Sequence, residues 1–165
     1  MKFFSRFALL ATTATAAPVQ RLFNLVTASN NSHNGLYLST QPTSPLNSNA
    51  VFRDPANAGL FYLDNDTVRF EAQNGSPWDL ALVSGSNVKG SVVVSVAPSS
   101  GSSGFGLTNG GALTTTNNAF GGWLVCENQS SASLLGLYYV NKSVDSGLPD
   151  GCDEVQLDVK FRTSP

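Results

Sequence analysis

The sequence predicts an all-β fold, a single-domain antiparallel β-sandwich or barrel of about eight to eleven strands with one disulfide. Three observations lead there. Apolar and aromatic residues recur with a period of two in short runs. Turn-forming residues break those runs at intervals of about ten residues, as in sandwiches and barrels. No stretch sustains an i, i+3, i+4 apolar pattern over several turns. A chain of 165 residues is the size of one domain.

In chain order, the opening MKFFSRFALLATTATAAP reads as a secretory signal. Lys2 and Arg6 give it a basic start, a short apolar run follows, and Ala14-Thr15-Ala16 supplies the small-x-small pattern of a cleavage site. Residues 1–16 are thus the expected leader, with cleavage after Ala16 or Ala17, and residues 17–165 the all-β secreted domain. The apolar run falls short of the ~20 residues that cross a bilayer, so no membrane insertion is expected.

The expected strands follow. They are Leu22-Phe23-Asn24-Leu25-Val26, Leu36-Tyr37-Leu38, Leu60-Phe61-Tyr62-Leu63, Thr67-Val68-Arg69-Phe70 and Leu80-Ala81-Leu82-Val83, then Ser91 to Val96, Trp123-Leu124-Val125, Leu137-Tyr138-Tyr139-Val140 and Val155 to Phe161. Asp64-Asn65-Asp66 predicts a tight hairpin, because Asn and Asp tolerate positive φ. Asn109-Gly110 within Leu107 to Leu113 predicts another. In the last strand, alternation turns Val155, Leu157, Val159 and Phe161 inward and leaves Gln156, Asp158 and Lys160 to water. Pro98 to Gly104 reads as a mobile loop between strands.

Two cysteines in an exported chain predict one disulfide, Cys126–Cys152. It would tie the strand FGGWLVC to the terminal strand. Gly121-Gly122 permits a bulge just before Trp123, and a tryptophan beside a structural disulfide is expected to pack rather than bind.

Composition excludes some partners. The formal charge is −2, about −4 without Lys2 and Arg6, and Lys and Arg are few and scattered, so no nucleic-acid footprint exists. N-x-S/T sequons stand at Asn30, Asn65, Asn74, Asn128 and Asn141, candidate acceptors for N-glycans in an exported protein. His33 is the single histidine and lies in a polar loop, and no G-x-S-x-G elbow occurs, so no catalytic residue and no cofactor are expected. A glycosidase would need two carboxyls about 5 to 9.5 Å apart, and Glu71, Glu127 and Glu154 are the glutamates available, the latter two as expected neighbours. Asp145, Asp150, Asp153 and Glu154 form a weak calcium candidate without EF-hand spacing. For glycan contact the candidate aromatics are Trp78, Tyr62, Tyr138 and Tyr139; the last two are adjacent on one strand and must face opposite ways.

Phe120-Gly121-Gly122-Trp123-Leu124-Val125-Cys126, with Leu137-Tyr138-Tyr139, Leu148-Pro149-Asp150-Gly151-Cys152 and Val155-Gln156-Leu157, resembles the C-terminal half of a group of small secreted fungal proteins. Phe23 to Thr27 and Asn34 to Leu38 resemble that group's N-terminal strands. Their shared domain has no assigned activity, and some members are described as hypersensitive-response-inducing elicitors of plants. Residues Leu113 to Leu157 also resemble, more weakly, fungal cell-wall proteins. Glu127 to Ser131 departs from the group, which carries further aromatics after the first cysteine. The resemblance implies a non-enzymatic extracellular β protein of apoplast or cell wall, an effector or elicitor acting through a plant cell-surface component. The alternative is a cell-wall or glycan-binding module, and a small glycoside hydrolase comes third.

Overall fold

The computed structural model describes residues 20–97, 99–127, 134–145 and 147–162. The expected leader with Ala16 and Ala17, and the sequon at Asn128, lie outside the described residues. The described chain folds into twelve strands. They are β1 Phe23–Ala28, β2 Tyr37–Ser44, β3 Asn47–Arg53, β4 Phe61–Asp64, β5 Thr67–Glu71, β6 Pro77–Val83, β7 Lys89–Ser95, β8 Phe105–Leu107, β9 Leu113–Thr115, β10 Phe120–Glu127, β11 Leu135–Asn141 and β12 Cys152–Phe161. A short 3-10 helix, Pro55–Asn57, leads into β4.

Strand pairing decides between sandwich and barrel. The antiparallel ladders run β12–β1–β4–β5–β6–β7–β3–β11–β10 and return to β12, closing a nine-stranded barrel. Strand β2 bridges β1 and β3. Closure satisfies backbone groups that an open sheet would leave as edges.

Local chemistry explains most elements. Asn65 turns the β4–β5 hairpin at φ 56, the conformation anticipated from Asp64-Asn65-Asp66. The β8–β9 hairpin closes with Thr108 N donating to Ala112 O at 2.8 Å. Strand β3 is not among the expected strands. It forms because β2 pairs along its whole length and β7 and β11 share its other edge. The count is therefore twelve, above the expected eight to eleven.

Inward-facing residues make one core. Leu25, Leu38, Phe52, Phe61, Val68, Leu80, Val94, Val125, Tyr139 and Leu157 are buried in it. Trp123 is 3 % exposed and its Nε1 donates to Leu113 O at 2.8 Å. Phe120 meets its ring edge-on, 4.7 Å between centroids. The expected bulge is present: the β10–β11 register shifts between Phe120 and Trp123, and Gly122 sits there at φ 143. Trp123 is a packing residue.

Two expectations are corrected. Phe161, expected inside, is 43 % exposed at the strand end, where it packs edge-on against Phe23 under the Arg21 guanidinium. The Ser-Gly run after Pro98, expected to be mobile, is tied down along β6. Ser102 N donates to Leu80 O at 3.1 Å and its Oγ accepts from Leu82 N at 2.9 Å. These bonds satisfy a stretch of β6 that β5 is too short to cover.

Cys126 and Cys152 stand directly opposite each other on β10 and β12, Cα atoms 4.2 Å apart, and are disulfide-bonded. The closed loop spans 26 residues. Replacing both cysteines by alanine is expected to lower stability by about 3.5 kcal/mol on the chain-entropy estimate. Urea unfolding measures it; an unchanged midpoint contradicts the disulfide's role.

Candidate ligand cleft at the barrel mouth

The inward face changes character along the barrel. On β2, Leu38 is followed on the same face by Thr40 and Pro42; on β3, Phe52 and Ala50 are followed by Ser48. On β6, Leu82 and Leu80 lead to Trp78, whose partner across the β5 ladder is Phe70. These positions meet at one end, where β2, β5 and β7 finish and β3, β4 and β6 begin. Continuing the core there leaves a cleft of about 600 Å³. Barrel mouths are a recurrent place for ligands.

The cleft opens along a seam. Strand β2 and the run into β4 are joined by Gly59 N donating to Leu38 O at 2.8 Å, and Asn24 Nδ2 donates to Gly59 O at 2.7 Å. A Cβ at Gly59 would lie 3.0 Å from the Phe61 ring, 3.1 Å from Leu38 O and 3.2 Å from the Phe70 ring. Only a residue without a side chain lets the strands approach this closely.

Amides on the rim are oriented by neighbours. Asp54 caps the 3-10 helix, its Oδ1 accepting from Ala56 N at 2.9 Å and Asn57 N at 3.1 Å. Asn57 Nδ2 donates to both Asp54 oxygens, at 3.1 and 3.0 Å. Asn57 is among the residues lining the cleft. Asn74 does the reverse: its Oδ1 accepts from Ser76 N at 3.1 Å, leaving Nδ2 as a donor. Hydrogen bonding from the Asn57 side chain, ahead of the backbone bonds, holds the Asp54 carboxyl below its ordinary 3.8. Trp78 Nε1 is buried without an acceptor among the described residues. Such an unmade bond costs roughly 1–3 kcal/mol. Glu71 is the one charged residue on the lining, and strand alternation turns its side chain to the face opposite Phe70.

The sequence candidates fare unequally. Trp78 lines the cleft. Tyr62 and Tyr139 do not: they are 8 % and 1 % exposed, core residues, and the Tyr139 hydroxyl donates to Val83 O at 3.2 Å. Tyr138 faces outward as the alternation requires, but away from the cleft, with Lys89 Nζ 4.6 Å from its ring and its hydroxyl pKa raised by burial. Asn30, Asn65 and Asn74 are exposed. Asn141 is corrected: it is 3 % exposed and its Nδ2 donates to Gly85 O at 3.0 Å, so the atom a glycan would use is spent inside. No cluster of three or more His, Cys, Asp or Glu fit to hold a metal forms among the described residues, so Asp145, Asp150, Asp153 and Glu154 are not gathered into one carboxylate site. Asp153 instead pairs with His33 Nδ1 at 2.8 Å, so His33 is not the solvated loop residue expected.

Glu127 and Glu154 are also separated. Glu154 stands opposite Leu124 and shares the face of Cys152 and Cys126, whereas Glu127 points to the other face. They lie three rungs apart, about 10 Å along the strands. No other acidic residue lines the cleft beside Glu71. Sequence reasoning missed Asn57, Phe70 and Ser48 as wall residues. The register of Trp78 with Leu80 and Leu82 was the available signal for the wall.

Residues 20–161 match a protein family described as a domain of unknown function (DUF7907). No curated protein and no solved structure matches the chain.

Gly59→Val is expected to destabilise the fold by about 1–3 kcal/mol through overpacking of the seam, read by urea unfolding; a neutral result would show the seam to be loose. Because the folded-state pKa of Asp54 is depressed, its stabilisation is present above the ordinary value and lost as pH falls through the folded one. The Tm gap between wild type and Asp54→Ala, open at neutral pH, should close in acid below the ordinary carboxylate range. A gap that persists in acid contradicts the cap.

Proposed function

The chain belongs to the DUF7907 family, whose description assigns no activity, and from the cleft we propose that it is a non-catalytic saccharide-binding domain of an exported protein. One observation carries the reading: Trp78 lines a barrel mouth together with Asn57 and Asn74, whose amides are held by neighbouring groups. A sugar ring offers an apolar C–H face to an aromatic wall and hydroxyls to amide donors and acceptors around it. Gln73, Thr40 and Ser48 add polar groups of the same uncharged kind. Anionic ligands are disfavoured, since no Lys or Arg lines the cleft.

Binding without turnover fits a single acidic residue on the lining, because two-carboxyl glycoside hydrolysis needs a partner for Glu71. No helix among the described residues is long and apolar enough to cross a membrane. Export is supported by the leader-like residues 1–16 and by the Cys126–Cys152 disulfide, a bond that persists in oxidising compartments. Recognition by a plant host is a second reading, carried by the FGGWLVC resemblance alone. Infiltration of the purified protein into leaves tests that reading, and absence of necrosis and oxidative burst counts against it.

Oligosaccharides of glucose, mannose, N-acetylglucosamine and glucosamine, titrated by NMR, test the first. At least one is expected to bind, and Trp78→Ala to weaken it about tenfold or more. Failure of all four, or binding indifferent to Trp78→Ala, refutes the proposal.

A further inference from the structure

Resting on the export part of the saccharide-binding reading, we infer that Asn65 carries an N-linked glycan while the sequons at Asn74 and Asn141 stay bare, which leaves the barrel mouth open. N-glycosylation needs an amide nitrogen with a hydrogen to give up and solvent around it. Asn65 Nδ2 donates one bond, to the neighbouring Asp64 Oδ1 at 3.3 Å, and its second hydrogen meets no acceptor among the described residues. The sugar donor is the lipid-pyrophosphate-linked oligosaccharide of the secretory pathway. Its sugar C1–O bond to pyrophosphate breaks and the Nδ2–C1 bond forms. Nδ2 releases one hydrogen as a proton, and the lipid pyrophosphate leaves. The N–H that remains still serves Asp64.

Position favours the same residue. Asn65 is exposed at the tip of the β4–β5 hairpin, at φ 56. The tip is held by its neighbour: Asp66 O accepts from Phe105 N and Asp66 Oδ2 from Gly104 N, both at 2.9 Å. A sugar on Asn65 therefore extends from a finished turn and displaces none of these bonds. Thr67 supplies the sequon hydroxyl, and β5 then leads away from the tip. Glu71, on the cleft lining, lies four steps from Thr67, about 13 Å along the strand. The other two sequons differ. Asn141 Nδ2 spends both hydrogens inside, on Gly85 O at 3.0 Å and Asn87 O at 3.4 Å, so a glycosylated Asn141 is incompatible with this fold. Asn74 lines the cleft, and a glycan there would stand at the mouth. Its sequon is a poor acceptor, because Pro77 directly follows Ser76 and confines that residue to extended backbone.

The test produces the full chain, with its own leader, in a secreting yeast. Protein from the medium is treated with a glycan-releasing amidase in heavy-oxygen water, which turns each glycosylated Asn into a labelled Asp, and is then digested and mapped by mass. Label is expected at Asn65 and absent at Asn74 and Asn141. Peptide mapping reads each sequon separately, so occupancy at Asn30 or Asn128 does not blur the result. Asn65→Gly, which keeps the positive φ, and Thr67→Val, which keeps a β-branched strand residue, are each expected to lose one glycan from the intact mass. Asn74→Gln is expected to lose none. A secreted chain unlabelled at Asn65, or labelled at Asn74 or Asn141, overturns the inference and leaves export standing. A chain retained in the cells overturns both.

Discussion

Alternation across a closed sheet governs this molecule. Once the nine ladders join end to end, every strand must send alternate residues into the same interior, and each register error would expose a run of apolar side chains. The disulfide fixes one of those registers covalently, since Cys126 and Cys152 are cross-strand partners on β10 and β12. Trp123, three residues before Cys126, is fixed in turn on the inner face. Its indole bond to Leu113 O ties the β8–β9 hairpin to the barrel. The pattern that makes the core also aims the cleft. Trp78 faces the interior for the same reason as Leu80 and Leu82, but at the mouth, where no facing strand covers it.

The cleft is a local incompleteness in closure. Strand β2 leaves the β1 ladder after one pair, Val26 with Tyr37, and the next segment on that side is the run through Gly59 rather than a full strand. One backbone bond holds the seam there, and the inner residues beyond it change from Leu38 and Phe52 to Thr40 and Ser48. Buried polar groups need partners. On the exposed rim, short-range bonds from Asn57 to Asp54 and from Ser76 to Asn74 hold the two amides. A site assembled in this way is preorganised by loop chemistry rather than by charge.

Charge is scarce on this chain and mostly neutralised where it occurs. Arg69 bridges Asp64 and Asp79, His33 meets Asp153, and Lys89, Lys160 and Arg21 each lie over an aromatic ring. These ion pairs are half-buried, and the facing Arg69 Nε and Asp79 Oδ1 atoms are shut off from solvent. Their consequence is a described surface with few free cations.

The amino-acid sequence by itself determined the all-β class, the hairpin at Asn65, the bulge before Trp123 and the pairing of the two cysteines. Each of these follows from period, turn chemistry or count, all local properties of the chain. It also determined that Tyr138 and Tyr139 face opposite ways, because alternation is local too. Which of the two would be buried was not local, and only tertiary structure chose Tyr139. The same holds for β3, whose Asn and Ser residues become a strand because neighbours bond to both of its edges. It holds for Asn141, a sequon whose amide the fold spends on Gly85, and for Glu127 and Glu154, close to paired cysteines yet on opposite faces. Closure brought Trp78, Asn57 and Glu71 to one mouth from three separate segments. Proximity of that sort depends on strand order and register, which are set by the packing of the whole barrel and leave no trace in any short stretch of residues.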